Sequence, residues 1–131
     1  MITFSYGMTQ KSKLPAPEIT LEVQSPTSMH NRRNVTCIVD TGASATCLPS
    51  VLLESLNLLD YTEKTVEWGS GERKSVRMHT VNLVIGKMVF KDLFVVGIEK
   101  NYGLIGRDVL NRYHLACDGL NLVWSVVPEW A

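Results

Sequence analysis

The chain has 131 residues, 45% of them hydrophobic, and its 13 basic and 13 acidic side chains give a formal net charge of zero. This length suffices for one domain with a modest core, and the hydrophobic content argues against disorder. The balanced charge offers no basic stripe to neutralise phosphates, and no apolar run is long enough to span a bilayer. We therefore expect neither a nucleic acid nor a membrane as a partner.

The chain is predicted to divide into a flexible leader at residues 1–14 and one domain at residues 15–131. The start of the leader lacks the apolar core of a secretory signal, which predicts a cytoplasmic protein. The 3 cysteines have no Cys-x-x-Cys spacing and are predicted to be free thiols in a reducing compartment. Neither they nor the 3 histidines show the spacing of metal ligands, so no metal is expected.

The most informative segment follows the second of two predicted strands. Pro17–Gln24 alternates apolar and polar side chains, as a half-buried strand does, and Val35–Val39 is a β-branched run typical of a buried strand. Asp40-Thr41-Gly42 comes directly after this run. A turn containing glycine would present the Asp40 carboxylate at the rim of the sheet. The Asp-Thr-Gly triplet occurs once in the chain.

A short helix is predicted over Pro49–Leu56, with a proline near its start. At helical spacing Val51, Leu52 and Leu56 lie near one face, and we expect that face to pack into the core. A second short helix is predicted after Gly106.

A polar hairpin is predicted in the middle of the chain. Two runs that favour strands, Glu63–Trp68 and Ser75–Ile85, flank Gly69-Ser70-Gly71, whose glycines supply the backbone freedom of a tight turn. Trp68 lies where the first strand meets the turn. It either contacts a bound substrate or stabilises the base of the hairpin.

The rest of the chain also predicts strands, which makes the fold class all-β. These strands are Thr80–Ile85 and Met88–Phe90 around a turn at Gly86, Phe94–Ile98, Leu104–Ile105, and a final hairpin of His114–Asp118 and Asn121–Val127. The apolar second arm of that final hairpin leaves two alternatives open. It forms a sheet edge that pairs with another chain, or it closes the monomer's own core.

Two segments together resemble the retropepsin family, the single-domain dimeric aspartic peptidases of retroviruses, retroelements and some cellular proteins. These segments are Val39–Ser44 and Leu104–Leu110, and the order of elements agrees over residues 16–127. The resemblance implies a closed β-barrel or sandwich with a flap hairpin and one or two short helices. It also implies a homodimer joined partly through terminal strands, for which residues 114–127 are the candidates.

The resemblance implies that Asp40 is the catalytic residue of an aspartic endopeptidase acting on peptide or protein substrates. Aspartic peptidases hold two Asp side chains so close together that both cannot ionise, and the pair shares one proton. The ionised Asp acts as a general base on water, and the protonated Asp polarises the scissile carbonyl. A chain with a single Asp-Thr-Gly must obtain its second Asp from another copy, across a two-fold axis. Water is the nucleophile, and no cofactor is expected.

The resemblance also assigns roles around Asp40. Thr41 would lock the two loops together near the axis, Gly42 would accept the substrate backbone, Ala43 would line the site, and Ser44 would help to hold the loop. Trp68, Gly69, Ser70 and Gly71 would form the flap that covers the substrate; the alternative is an ordinary surface hairpin. Ile105, Gly106 and Arg107 would support the loop from beneath.

Some of these assignments leave alternatives open. Arg107 would support the structure and the dimer and would not be catalytic; the alternative is an exposed arginine at a helix start. The family often has an acidic residue or Thr in place of Ser44, and Asn is common where Asp108 stands. A retropepsin-like dimer that binds peptides without cleaving them, and a purely structural dimer in which Asp40 is only a turn residue, are the alternative functions.

Overall fold

The computed structural model describes residues 3–10, 13–58 and 61–127, and within these residues the chain is mostly β-strand. Two short helices, each directly after a short strand, complete the secondary structure of the described residues. The elements in chain order are β1 (Thr3–Gly7), β2 (Ala16–Gln24), β3 (Arg32–Val39), β4 (Cys47–Pro49), α1 (Ser50–Ser55), β5 (Thr62–Glu67), β6 (Arg73–Ile85), β7 (Met88–Ile98), β8 (Gly103–Ile105), α2 (Arg107–Leu110), β9 (His114–Asp118) and β10 (Val123–Val127).

The strands form a sheet that closes on itself. Their order is β5-β6-β7-β4-β8-β3-β2-β1-β10-β9, and β6 also pairs with β2. This additional pairing joins β2, β3, β8, β4, β7 and β6 into a ring, which buries the inward-facing side chains of every member. The predicted all-β class is therefore confirmed.

Most of the core is built from alternate side chains of the ring strands. In β2, Leu21 and Val23 are buried while Glu22 between them is partly exposed, as the two-residue period of a strand requires. The parallel pairing of β3 with β8 has a further consequence. Because both strands run the same way, the residues that follow Val39 and Ile105 emerge at the same edge of the sheet.

The face that the α1 segment buries matches the predicted face only in part. Leu53 and Leu56 are buried and Leu52 is partly buried against the core, whereas Val51 is 75% exposed. The helix begins at Ser50, so the positions that turn toward the sheet are Leu53 and Leu56, three residues apart on one face. The prediction that Val51 belongs to the core is wrong.

Part of the predicted flexible leader is a strand. Residues 3–7 form β1, which pairs with β10 on one side and β2 on the other, and the Phe4 ring lies 4.7 Å from that of Trp124. The expectation of flexibility is therefore wrong for residues 3–7. Residues 1, 2, 11 and 12 of the leader lie outside the described residues, and the domain boundary at residue 14 stays a prediction.

The final hairpin serves the monomer's own core through its second arm. Strand β10 lies between β1 and β9, and its Trp124 and Val126 are buried. Strand β9 is the last strand of the sheet, so its outer edge is the part of residues 114–127 that stays a candidate for pairing with a second copy. Neither helix of the described residues is long and apolar enough to cross a membrane.

Candidate active site

Asp40 lies at the end of β3, where the sheet passes into a tight turn. Its backbone N–H donates to the Ile105 carbonyl (3.0 Å), which continues the β3–β8 pairing by one residue. The Gly42 N–H donates to Oδ1 of Asp40 (2.9 Å), and the Ala43 N–H donates to the Asp40 carbonyl (3.2 Å). The Asp40 side chain is partly exposed. Its carboxylate is therefore oriented by the turn and still within reach of a ligand.

Gly42 fits this turn because it has no side chain. A Cβ atom at this position would stand 3.1 Å from Oδ1 of Asp40, closer than carbon and oxygen atoms normally approach. Thr41 and Ser44 are exposed on the same turn, and Ala43 is partly exposed. The structure thus brings the whole predicted loop to the surface at the rim of the sheet.

The segment after β8 packs against the loop from beneath. The Arg107 N–H donates to the Ala43 carbonyl (2.8 Å), and Nη1 of Arg107 donates to the Thr41 carbonyl (2.9 Å). A Cβ atom at Gly106 would lie 2.6 Å from the Ala45 carbonyl carbon, so only glycine permits this approach. The predicted supporting residues are therefore in contact with the loop. Arg107 is also exposed at the start of α2, so both interpretations of it describe part of its position.

Two residues that the sequence prediction did not assign to the site complete its base. The buried Thr46 donates its hydroxyl to Oδ1 of Asp108 (2.8 Å) and its backbone N–H to Oδ2 of Asp108 (3.0 Å). The same hydroxyl accepts the Gly106 N–H (3.2 Å). In the sequence, Asp108 stood out only because the resemblance led us to expect Asn as a common residue there, and nothing marked Thr46.

The thiol nearest the site is not a competing nucleophile. Cys47 is buried, and burial, together with the carboxylates of Asp108 and Asp40, raises the pKa of its thiol to about 11. Burial also raises the pKa of Cys37 to about 12. A thiolate is the reactive form of cysteine, and at neutral pH both thiols are protonated.

The predicted flap is the hairpin of β5 and β6. Its turn is closed by the Trp68 N–H donating to the Glu72 carbonyl and the Gly71 N–H donating to the Trp68 carbonyl, both at 2.8 Å. Gly71 has a positive φ of 84°, which its lack of a side chain permits. Gly69 and Ser70 are exposed at the tip.

Trp68 contacts both the protein and the space beneath the hairpin. Its side chain packs against a small apolar cluster formed by Cys47, Val96 and Ile98. It also lines a cavity of about 750 Å³ whose apolar wall includes Ile98 and Leu104. In this position Trp68 can both stabilise the base of the hairpin and contact a substrate in the cavity, so the two predicted roles do not exclude each other.

Charged side chains also line this cavity. Glu54, Glu72, Lys74, Arg77, Glu99 and Lys100 contribute to its lining. Leu104 lies in β8, next to the strand that ends at Asp40, and belongs to the same cluster as Trp68. Leu104 thus lies both in the wall of the cavity beneath the hairpin and in the strand that pairs with β3, which leads into the Asp40 loop.

Nothing in the described part of the chain groups three His, Cys, Asp or Glu side chains so that they could hold a metal ion. The expectation of a metal-free site stays a prediction. The chemistry that the arrangement offers is that of an oriented, accessible carboxylate.

The sequence and the fold of the chain are similar to those of known proteins. The family model described as "gag-polyprotein putative aspartyl protease" matches residues 27–112, which include the Asp40 loop, the hairpin and Arg107. No curated protein sequence matches the chain significantly.

Solved structures with a similar fold include the following three. A retropepsin-like aspartic protease from Rickettsia conorii is 24% identical, with a TM-score of 0.62 over 94% of this chain and 88% of its own. The EIAV protease in complex with the inhibitor HBY-793 is 18% identical, with a TM-score of 0.58 over 74% of this chain and 86% of its own. A foamy viral protease-reverse transcriptase in complex with an RNA/DNA hybrid is 17% identical, with a TM-score of 0.53 over 73% of this chain and 12% of its own. The predicted retropepsin-like fold is confirmed.

Proposed function

The chain belongs to the gag-polyprotein aspartyl protease family, and we propose that it is a homodimeric aspartic endopeptidase. Each subunit contributes Asp40 to a dyad that activates water. The substrate is a peptide or protein segment bound in extended form beneath the two β5–β6 hairpins. The hairpin residues Trp68, Gly69, Ser70 and Gly71 cover it.

The mechanism follows from the chemistry of two adjacent carboxyl groups. Because both cannot ionise when they are close together, one Asp40 carries a proton and its partner subunit's Asp40 does not. The ionised group takes a proton from water, and the protonated group donates a hydrogen bond to the scissile carbonyl. The chain has one Asp-Thr-Gly, so the proposal requires two copies.

The observation that carries the proposal is the geometry of Asp40. Its carboxylate accepts the Gly42 N–H within a turn that is bonded to residues 105 and 107. Rigid support of this kind holds a reacting group in a productive position. An extended substrate beneath the hairpin would add main-chain hydrogen bonds, as a strand does at a sheet edge.

Location is a further part of the proposal. All three cysteines are free thiols, a state that suits a reducing compartment. We therefore propose that the protein acts in the cytoplasm.

The test is mass spectrometry of a diverse peptide library incubated with the protein from acidic to neutral pH. Wild type, Asp40→Asn and a control, Asp92→Asn, are compared. Asp92 is a suitable control because it lies in β7 at a positive φ of 53°, which Asn also adopts readily, and its loss removes the same charge.

Cleavage by wild type and Asp92→Asn, with none by Asp40→Asn, is the expected result. Peptides that bind to a folded wild-type dimer and are never cleaved would instead favour the peptide-binding alternative. Equal cleavage by all three proteins would contradict the assignment of Asp40.

A further inference from the structure

We propose that Asp108 is a positioning residue that holds the far end of the Asp40 loop by accepting hydrogen bonds from Thr46. This inference rests on the proposed role of Asp40 as the reacting group. Asp108 itself acts through Thr46 and does not touch the substrate.

The loop is fixed at both ends by the segment that follows β8. At its start, the Asp40 N–H is bonded to the Ile105 carbonyl, and at its end Thr46 is bonded to Asp108. Between these points the chain must turn so that the Asp40 carboxylate faces outward. A shift at either end would therefore move the carboxylate relative to its counterpart in the second subunit.

Thr46 is the residue through which Asp108 acts. It is fully buried, and its carbonyl accepts the Val96 N–H (3.0 Å) from β7. Its hydroxyl donates to Asp108 while accepting the Gly106 N–H. Thr46 thus joins the loop to β7 and to the segment of residues 106–108 at a single point.

The hydrogen-bond directions explain why this position suits aspartate. Oδ2 of Asp108 accepts the Thr46 N–H, while Oδ1 accepts both the Thr46 hydroxyl and the Val109 N–H (2.9 Å). All three neighbours are donors. The aspartate side chain has two acceptor oxygens, and together they accept all three hydrogen bonds.

Asparagine would lose at least one of these bonds, because its NH₂ group only donates. If this group took the position of Oδ2, it would face the Thr46 N–H. If it took the position of Oδ1, it would face the Val109 N–H. In either orientation two donors point at each other, and a buried donor without an acceptor costs free energy.

The experiment compares steady-state kinetics of Asp108→Asn, Thr46→Val and Thr46→Ser with wild type and the control Asp92→Asn. Asp108→Asn and Thr46→Val are expected to lower kcat about ten- to a hundredfold, the effect of a slight displacement of a reacting group. Their KM should stay within about twofold, because neither residue touches substrate. Thr46→Ser keeps the hydroxyl and the N–H, so its kcat should stay near the wild-type value.

A second readout does not depend on catalysis. Amide hydrogen exchange at Thr46, measured by NMR, should be slow in wild type and at least about tenfold faster in Asp108→Asn. If wild type cleaves no peptide, the proposed function fails, and this exchange rate still tests the contact between Asp108 and Thr46.

Two results would overturn the inference. One is an unchanged Thr46 exchange rate in Asp108→Asn. The other is a lower Tm of Asp108→Asn with kcat per folded dimer unchanged, because that is the result of a role in stability alone. If Asp108→Asn does not fold, the comparison of Thr46→Val with Thr46→Ser takes its place. A lower Tm of Thr46→Val with an unchanged kcat per folded dimer would then overturn the inference.

Discussion

The Asp40 loop and the tip of the β5–β6 hairpin are held in opposite ways. The loop makes backbone hydrogen bonds to residues 105 and 107, ends at a buried Thr46, and packs so closely that Gly106 has no room for a Cβ atom. At the hairpin tip a Cβ atom at Gly69 or Gly71 would meet no atom within 4 Å. Beyond its own turn, the tip contacts the body of the protein through the Trp68 side chain.

This difference corresponds to what each region must do under the proposed function. A group that reacts has to be held within a fraction of an ångström, which a densely bonded loop on rigid strands achieves. A segment that admits and covers substrate must open, and local opening is easiest where few contacts are lost. The two regions meet in the cluster that contains Trp68 and Leu104.

The largest expected effect is that of Asp40→Asn, which should abolish cleavage. The amide oxygen of Asn can still accept the Gly42 N–H, so the turn and the free energy of unfolding should be preserved. Kinetics and thermal unfolding of Asp40→Asn and Asp40→Ala separate these effects. Residual turnover by Asp40→Asn above the level of a buffer blank would refute the catalytic role.

The same substitution at two glycines tests the contrast between the regions. Gly106→Ala should lower the free energy of unfolding by at least about 3 kcal/mol, the upper end of overpacking costs, because its Cβ would meet the Ala45 backbone. At Gly69 an added Cβ would enter open space, so Gly69→Ala should change the free energy of unfolding by less than about 0.5 kcal/mol. Urea denaturation measures both. Equal costs would show that the loop is no more tightly packed than the hairpin tip.

Trp68→Ala should affect function more than stability. Removing the indole opens the wall of the cavity and releases the hairpin tip, so kcat/KM should fall about tenfold, the scale of a lost aromatic contact. Trp68→Phe keeps a ring and should retain most of the activity. If Trp68→Ala instead lowered Tm strongly and left kcat/KM unchanged, the side chain would serve only the base of the hairpin.

The smallest expected effect concerns the cysteines. Burial raises the pKa of Cys37 to about 12 and of Cys47 to about 11, whereas Cys117 is exposed. At pH 8, iodoacetamide should therefore modify Cys117 first, as peptide mass spectrometry would show. Rapid modification of Cys47 in the folded protein would contradict this order.

The raised pKa values of Cys37 and Cys47 also affect stability, because they disfavour the thiolate in the folded state. The two buried thiols should lose their contribution to stability only as the pH rises above about 9.

Local sequence was sufficient to predict the elements whose causes are local. The β-branched run before Asp40, the glycines of the hairpin and the Gly106-Arg107 helix start each predicted what the structure has. Strand β1 is different because its partner β10 lies at the other end of the chain, and Thr3–Gly7 alone does not show it. The bond between Thr46 and Asp108 spans 62 residues and joins side chains with no motif of their own. The face of α1 depends on its exact start, which periodicity does not fix.

The most direct test of the central claim, a dyad made of Asp40 from two copies, is a mixing experiment. Wild type is equilibrated with a ninefold excess of Asp40→Asn, and cleavage is measured per wild-type chain. Random pairing leaves about one wild-type chain in ten with a wild-type partner, so activity per wild-type chain should fall about tenfold. Activity that stays unchanged under conditions where the two proteins form mixed dimers would contradict a shared dyad.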